Sequence, residues 1–219
     1  MYFSENQSQK LNSRIRQLEK NTGIEFLAAV VDKCDHYPEI PWKAFALGTA
    51  LSAMLVLAQS ALRPDWVSNY TALIQCMVVL GVGTVAALLT VVWPGWARCF
   101  LDKTRAEGEM RQYAQSLFLA HDIFKVPDRC GILLVVGLFE RQVVILPDRG
   151  IESRLPAAAL TDAIAAMIPY LKQGNRFQAL SEGLSRLEAY LKEAGFKARE
   201  DGADRIPEAL LQQKGGADG

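Results

Sequence analysis

Residues 44–62 read AFALGTALSAMLVLAQSAL and residues 70–93 read YTALIQCMVVLGVGTVAALLTVVW, two apolar runs without a charged residue, separated only by RPDWVSN at 63–69. At about 1.5 Å of rise per residue, each run is long enough as a helix to cross a hydrocarbon core of about 30 Å. The intervening piece has the proline and polar chemistry of a tight turn, so the two helices are expected to pack antiparallel as a transmembrane hairpin over residues 42–96. The alternative, a buried helical hairpin of a soluble protein, is disfavoured by the length of the runs. All four tryptophans, Trp42, Trp66, Trp93 and Trp96, fall at the ends of the runs, where amphipathic rings sit between headgroups and acyl chains. Gly48 and Ser52 on the first helix, and Gly83 and Ala87 on the second, are spaced four apart and allow close backbone approach. Gln59 and Gln75, both near the turn, are expected to hydrogen-bond to each other.

Basic residues flank the hairpin on its outer sides. Lys33 and Lys43 precede it and Arg98, Lys103, Arg105 and Arg111 follow it, whereas the turn carries only Arg63. The expected topology is two spans of an inner (plasma) membrane with both termini cytoplasmic. Residues 1–21 are polar and charged where a cleavable leader needs an apolar centre, so the mature chain is expected to be the whole chain. Lys plus Arg and Asp plus Glu balance at 24 each, which argues against a nucleic-acid surface and a dominant polybasic anchor. Cys34, Cys76, Cys99 and Cys130 lack the spacing of a zinc site and read as reduced packing residues.

The hairpin takes about a quarter of the 219 residues, and the remainder amounts to one ordinary domain, interrupted. Its first part is residues 10–40. Residues 1–9 read as unstructured; Leu11, Ile15 and Leu18 then mark an amphipathic helix that stops near Asn21 to Gly23. Residues 24–31 form a nearly continuous apolar run, a strand covered on both faces. The rest of the domain spans 101–196. A helix from Leu101 to about Phe124 shows a stripe of Met110, Tyr113, Ala114, Leu117, Phe118 and His121. Residues 131–136 are a second doubly buried strand, and residues 142–146 a third that returns antiparallel after a short loop. Two helices follow, 156–171 with Pro169 kinking its end, and 176–194 with Asn175 as N-cap and Gly195 as stop. Residues 197–219 read as a flexible tail with at most a weak turn at 207–211.

Chemistry is sparse. Only His36 and His121 are present, and His121 on an apolar stripe reads as a core or interface residue before it reads as a base or ligand. No phosphate-binding glycine loop and no H-E-x-x-H occurs. The remaining candidates are charges at strand ends, Asp32, Asp128, Arg129, Glu140, Arg141, Asp148 and Arg149. Such carboxylates can ligate Ca²⁺ or Mg²⁺ through oxygen and such arginines can hold phosphate, but the same residues read first as solvated turn charges.

Two segments carry a resemblance. Residues 11–31, with the turn LEKNTGIE, and residues 129–151, RCGILLVV followed by ERQVVILPDRGI, resemble the TPM domain family. The resemblance implies an α/β fold, a small mixed sheet flanked by helices, here interrupted by the two-helix transmembrane hairpin. It also implies one of two roles: phosphatase activity, or accessory work in the assembly or repair of membrane complexes. The function expected is a binding or assembly module for a membrane protein partner, compatible with a homo-oligomer and without nucleic acid. The alternative is a divalent-cation-dependent phosphatase with carboxylates from Asp128, Glu140 or Asp148 and phosphate held by Arg141 or Arg149.

Strands 24–31 and 131–136 are expected to be adjacent and parallel, because the chain between them crosses over. The 137–141 loop then emerges where the first strand leads into the hairpin. Leu138 and Phe139 are thereby expected to contact headgroups or a partner, while Asp128 and Asp148 lie at the other end, about 17 Å or more from Glu140. For the topology, a cysteine placed at Ser68 is expected to react with an impermeant maleimide from outside intact cells, and one at Ser181 to stay unlabelled until the membrane is opened. Equal labelling of both from outside would rule out the hairpin orientation.

Overall fold

The computed structural model describes residues 2–62, 68–198 and 209–213, which leaves Trp66, Pro207 and most of the expected 63–69 turn outside the described residues. The chain divides into two units, Met1–Asp35 with Glu107–Gly219, and His36–Ala106.

The α/β unit begins with helix α1, Glu5–Thr22. Its start corrects the expectation of an unstructured residue 1–9 stretch. Ser4 Oγ accepts from Gln7 N at 3.3 Å and Gln7 Oε1 accepts from Ser4 N at 3.1 Å, a reciprocal cap that satisfies two otherwise orphaned donors. Gly23, at φ 68°, ends the helix in the left-handed conformation that glycine adopts without Cβ strain. Strand β1, Glu25–Val31, follows directly, and every residue after Glu25 is buried. Helix α5 (Lys103–Ala120), strands β2 (Gly131–Gly137) and β3 (Gln142–Pro147), the one-turn helix α6 (Arg149–Glu152), and helices α7 (Ala157–Lys172) and α8 (Arg176–Glu193) complete most of the unit. Helix α5 is shorter than expected, with two 3-10 turns at Ile123–Lys125 and Pro127–Arg129 in place of its last turn. Helix α7 continues past Pro169 to Lys172, and Asn175 Oδ1 caps α8 by accepting from Gln178 N at 3.1 Å.

The sheet has the order β3-β2-β1-β4, where β4 is Leu210–Gln213. As expected, β1 and β2 are adjacent and parallel, with Glu25 opposite Gly131 and Val31 opposite Gly137, and β3 is antiparallel to β2. Strand β4 corrects the reading of a flexible tail, since residues 210–213 pair in parallel with the other edge of β1. Alternate side chains serve two cores. Phe26, Ala28, Val30, Ile132 and Leu134 pack with α1, α7 and α8, whereas Leu27, Ala29, Val31, Leu133 and Val135 pack with Met110, Ala114 and Leu117 of α5. Burial on both faces is why these strands read as continuous apolar runs without alternation.

The hairpin unit contains α2 (Glu39–Leu62), α3 (Asn69–Val92) and the short α4 (Pro94–Arg98). A Cβ on Gly48 would stand 3.0 Å from Ala86 Cβ and 3.1 Å from Gly83 Cα, so the small residues do mark the close crossing of α2 and α3. Ser52 Oγ donates back to Gly48 O at 2.7 Å, which satisfies its hydroxyl within the helix. The expected Gln59–Gln75 bond is not made. Gln75 Nε2 donates to Ser60 Oγ at 3.5 Å, and Gln59 lines an apolar groove of about 460 Å³ with Leu51 and Leu55. Large apolar side chains cover the outside of both helices, among them Met54, Leu55, Leu57, Leu73, Met77 and Leu88.

One polar cluster holds α1 to α8. Glu188, only 6% exposed, accepts from Asn21 Nδ2 at 2.8 Å and Lys192 Nζ at 2.7 Å and pairs with Arg14 at 2.8 Å. Burial pushes its carboxyl up, but the hydrogen bonds from Lys192 and Asn21 and the charges of Arg14 and Lys192 outweigh that and hold it below its ordinary value. A carboxyl held low in the fold supplies stability above its unfolded pKa, which is lost as the pH falls through the folded value. Glu188→Gln is expected to lose about 2 kcal/mol at neutral pH and to show a shallower fall in stability below about pH 5, both measurable by denaturant titration.

Candidate functional site

The charged candidates occupy the two opposite ends of the β2–β3 hairpin. At the end where β1 and β2 finish, Leu138 N donates to Val31 O at 2.9 Å and Phe139 N to Asp32 O at 2.8 Å, so the 137–141 loop folds back on the chain leaving β1. That fold-back carries Glu140 inward: it is 7% exposed, and its Oε1 accepts from Cys34 N at 2.8 Å. Gly137 makes room, since a Cβ there would stand 2.7 Å from Glu140 Oε2. Arg141, at φ 54°, turns the chain in the left-handed region and remains exposed.

Leu138 and Phe139 do not form the protruding apolar tip expected of this loop. Leu138 packs against the larger core and Phe139 is buried, with Lys33 Nζ 5.1 Å from its ring centroid. The physical reason is the pair of backbone hydrogen bonds to residues 31 and 32, which draw the loop onto the sheet.

Of the four cysteines expected to be packing residues, only Cys34 is buried, and Cys76 and Cys99 are exposed. Cys34 Sγ lies 2.9 Å from Met110 Sδ. Burial pushes the Cys34 thiol up, reinforced by the charges of Glu140, Asp35 and Glu109. It is therefore a neutral thiol at physiological pH and unsuited to nucleophilic work. Burial likewise raises the Tyr113 hydroxyl, with a smaller contribution from Cys34.

The opposite end is built on a backbone constraint. Asp128 and Arg129 take successive left-handed conformations, φ 58° and 56°, and Gly150 approaches so closely that a Cβ on it would overlap the Asp128 carbonyl oxygen and stand 2.8 Å from that of Arg129. Asp148 caps α6: its Oδ1 accepts from Arg149 N at 2.7 Å and from Arg129 Nε at 3.2 Å. Arg129 NH1 also donates to Phe124 O at 2.8 Å. Asp148 is 4% exposed, and its Oδ2 has no hydrogen-bond partner among the described residues. Asp128 and Arg149 are exposed beside it.

This arrangement brings Asp128, Arg129, Asp148 and Arg149 together and leaves Glu140 and Arg141 about 17 Å away along the six-residue strand β3. Among the described residues no three His, Cys, Asp or Glu side chains converge. Ca²⁺ and Mg²⁺ take six or more oxygens, and among the described residues the buried carboxylate of this end, Asp148, has one oxygen on Arg129 and is not joined by two further carboxylates. What the geometry provides is a clasp joining the 124–130 segment to the start of α6. Asp148 as an N-cap and the Asp-Arg-Gly order were legible signals for it; the inward turn of Glu140 had none.

A four-stranded mixed sheet with helices on both faces, entered by one strand before a long apolar hairpin and completed after it, defines an α/β domain with a large insertion. Residues 99–190 match the family model described as TPM domain. The match begins after the hairpin, yet β1 pairs with β2 along its whole length, so the folded unit reaches further than the matched residues. No curated protein matches the chain. Among solved structures it is similar in fold to the NMR structure of BA42 protein from the psychrophilic bacterium Bizionia argentinensis, at 15% identity and TM-score 0.57, over 97% of this chain and 96% of that one.

Gly150→Ala is expected to cost about 2 kcal/mol, because the added methyl must displace backbone and cannot simply move a side chain aside. A thermal melt of the variant within error of the parent's would show that the 128–129 turn gives way freely.

Proposed function

We propose that this chain is an integral membrane protein of two spans, with both termini cytoplasmic, whose TPM domain binds or assists the assembly of a membrane protein partner. The observation that carries the reading is the outer surface of α2 and α3, two 24-residue helices long and apolar enough to span a membrane, whose most apolar stretches are only 6% buried. An apolar surface of that extent is stable against acyl chains and unstable against water. Trp42 and Trp93, 72% and 63% exposed, mark the helix ends at interface depth.

The strand-end charges support a binding role over hydrolysis. Arg129 and Asp148 neutralise each other, Cys34 is held as a thiol, and Glu140 sits at the far end of β3. A hydrolytic site needs a base, a water position and phosphate donors within hydrogen-bond reach of one point. The exposed Arg149 and Asp128 lie instead at one end of β3 and the exposed Arg141 at the other.

Two measurements test the reading. The full chain is expected to remain in the pellet when membranes are washed with alkaline carbonate and to need detergent for release; recovery in the wash would overturn the integral assignment. Purified in detergent with Mg²⁺ or Ca²⁺, it is expected to show no turnover of a generic phosphomonoester. Metal-dependent turnover lost in Asp148→Asn would establish the phosphatase in its place.

A further inference from the structure

The sheet has two edges, and they are finished differently. β4 closes the outer side of β1, whereas β3 forms the other edge, and among the described residues no further element hydrogen-bonds to its outer side. The phase of the ladder shows what that side offers. Asp148 N donates to Gly131 O at 2.8 Å, and the register sets Leu146 opposite Leu133, Val144 opposite Val135 and Gln142 opposite Gly137. In an antiparallel pair, residues whose backbone groups meet the partner strand alternate with residues whose groups face away. Gln142, Val144 and Leu146 therefore bond inward to β2. The N–H and C=O groups of Val143 and Ile145 point outward, and Pro147 adds a carbonyl alone.

Sheet edges are commonly blunted by a charge within the strand, a bulge or a proline. β3 runs in continuous register with no charged residue from Gln142 to Pro147, and its proline stands only at the last position. Both faces of the strand are apolar. Val143 and Ile145 lie with the core to which α7 adds the half-buried Leu160 and Ile164, and Val144 and Leu146 lie with the core of α5. Exposed charge enters at the two ends, as Arg141 and Arg149. Asp128 is exposed at the Arg149 end as well, so Arg141 is the stronger anchor for an anion.

We propose that the outer edge of β3 receives an extended segment of the partner protein as a fifth strand, and that this segment is uncharged and β-branched along its length with an acidic residue at its end. Backbone bonds to Val143 and Ile145 hold the segment, the apolar neighbours on both faces select its side chains, and Arg141 selects the acidic end. A second copy of β3 fits less well. Two-fold antiparallel pairing along the whole strand, Ile145 opposite Ile145, would set Val143 opposite Pro147, which has no N–H to give, and Arg141 opposite Arg149, two like charges. The inference rests on the binding reading above and gives it a contact surface.

The probe is a blocked, fluorescently labelled peptide, Asp-Val-Thr-Val-Thr-Val-Asp, titrated by fluorescence anisotropy against the full chain in detergent. It is expected to bind, and a peptide with lysine in place of both aspartates to bind about fivefold more weakly. Val143→Pro removes an outward N–H and keeps the inward bonds of Gln142 and Val144, a change that an edge strand tolerates. It is expected to weaken the peptide about tenfold with the far-UV circular dichroism unchanged. If that variant misfolds, Arg141→Glu serves instead: it changes an exposed side chain and is expected to invert the preference between the two peptides. Absence of binding, equal binding of both peptides, or binding that ignores Val143→Pro and Arg141→Glu would overturn the edge site. The binding reading would survive that result if the same chain resists carbonate extraction and shows no phosphomonoester turnover. A dimer of the full chain that Val143→Pro dissociates would also overturn the proposal, because the edge would then belong to a second copy.

Discussion

The parallel pairing of β1 with β2 is the contact on which the rest depends. A parallel pair cannot be closed by a tight turn; it needs a long crossover connection, and here the crossover contains the hairpin unit and α5. Because the insertion lies in a connection that had to be long, it leaves the sheet register undisturbed from Glu25 opposite Gly131 to Val31 opposite Gly137. The same pairing presents two buried faces at once. Without β1 in place, α1, α7 and α8 would lose Phe26, Ala28 and Val30, and α5 would lose Leu27, Ala29 and Val31.

The charged residues at the strand ends serve this frame. At one end Arg129 and Asp148 close a turn that Gly150 alone can approach; at the other, Glu140 folds under its loop to hold the backbone of Cys34. Buried carboxylates of this kind fix a conformation more than they add net stability, since their desolvation offsets much of their pairing. That is a reason to separate polar residues that organise the domain from exposed ones that can meet another molecule, among which Arg141, Arg149 and Asp128 stand out.

Much of the fold could be read from local pattern. Unbroken apolar runs gave away the two doubly buried strands, uncharged length the hairpin, and Gly23, Asn175 and Gly195 the helix ends. The order of the strands followed from connection length, and with it the separation of Glu140 from Asp148. Contacts distant in sequence were not legible. Leu210 and Leu211 are two apolar residues in a polar stretch, too short to show a period, and only the open edge of β1 makes a strand of them. Phe139 looked like an exposed loop residue because nothing nearby announces that the loop bonds back to residues 31 and 32. The Ser4–Gln7 capping box, by contrast, was present as S-x-x-Q and is a plain local signal for the start of α1.

The central strand is also the one made earliest. Its partner β2 lies roughly a hundred residues later, so as the chain is synthesised β1 waits unpaired while both long apolar helices and α5 emerge. An apolar segment in that condition is a natural client for chaperones. The sheet gains its second strand only after the hairpin has left the ribosome. Maturation of the α/β unit is therefore timed by the fate of the segment inserted into it: anything that delays the hairpin also delays the domain.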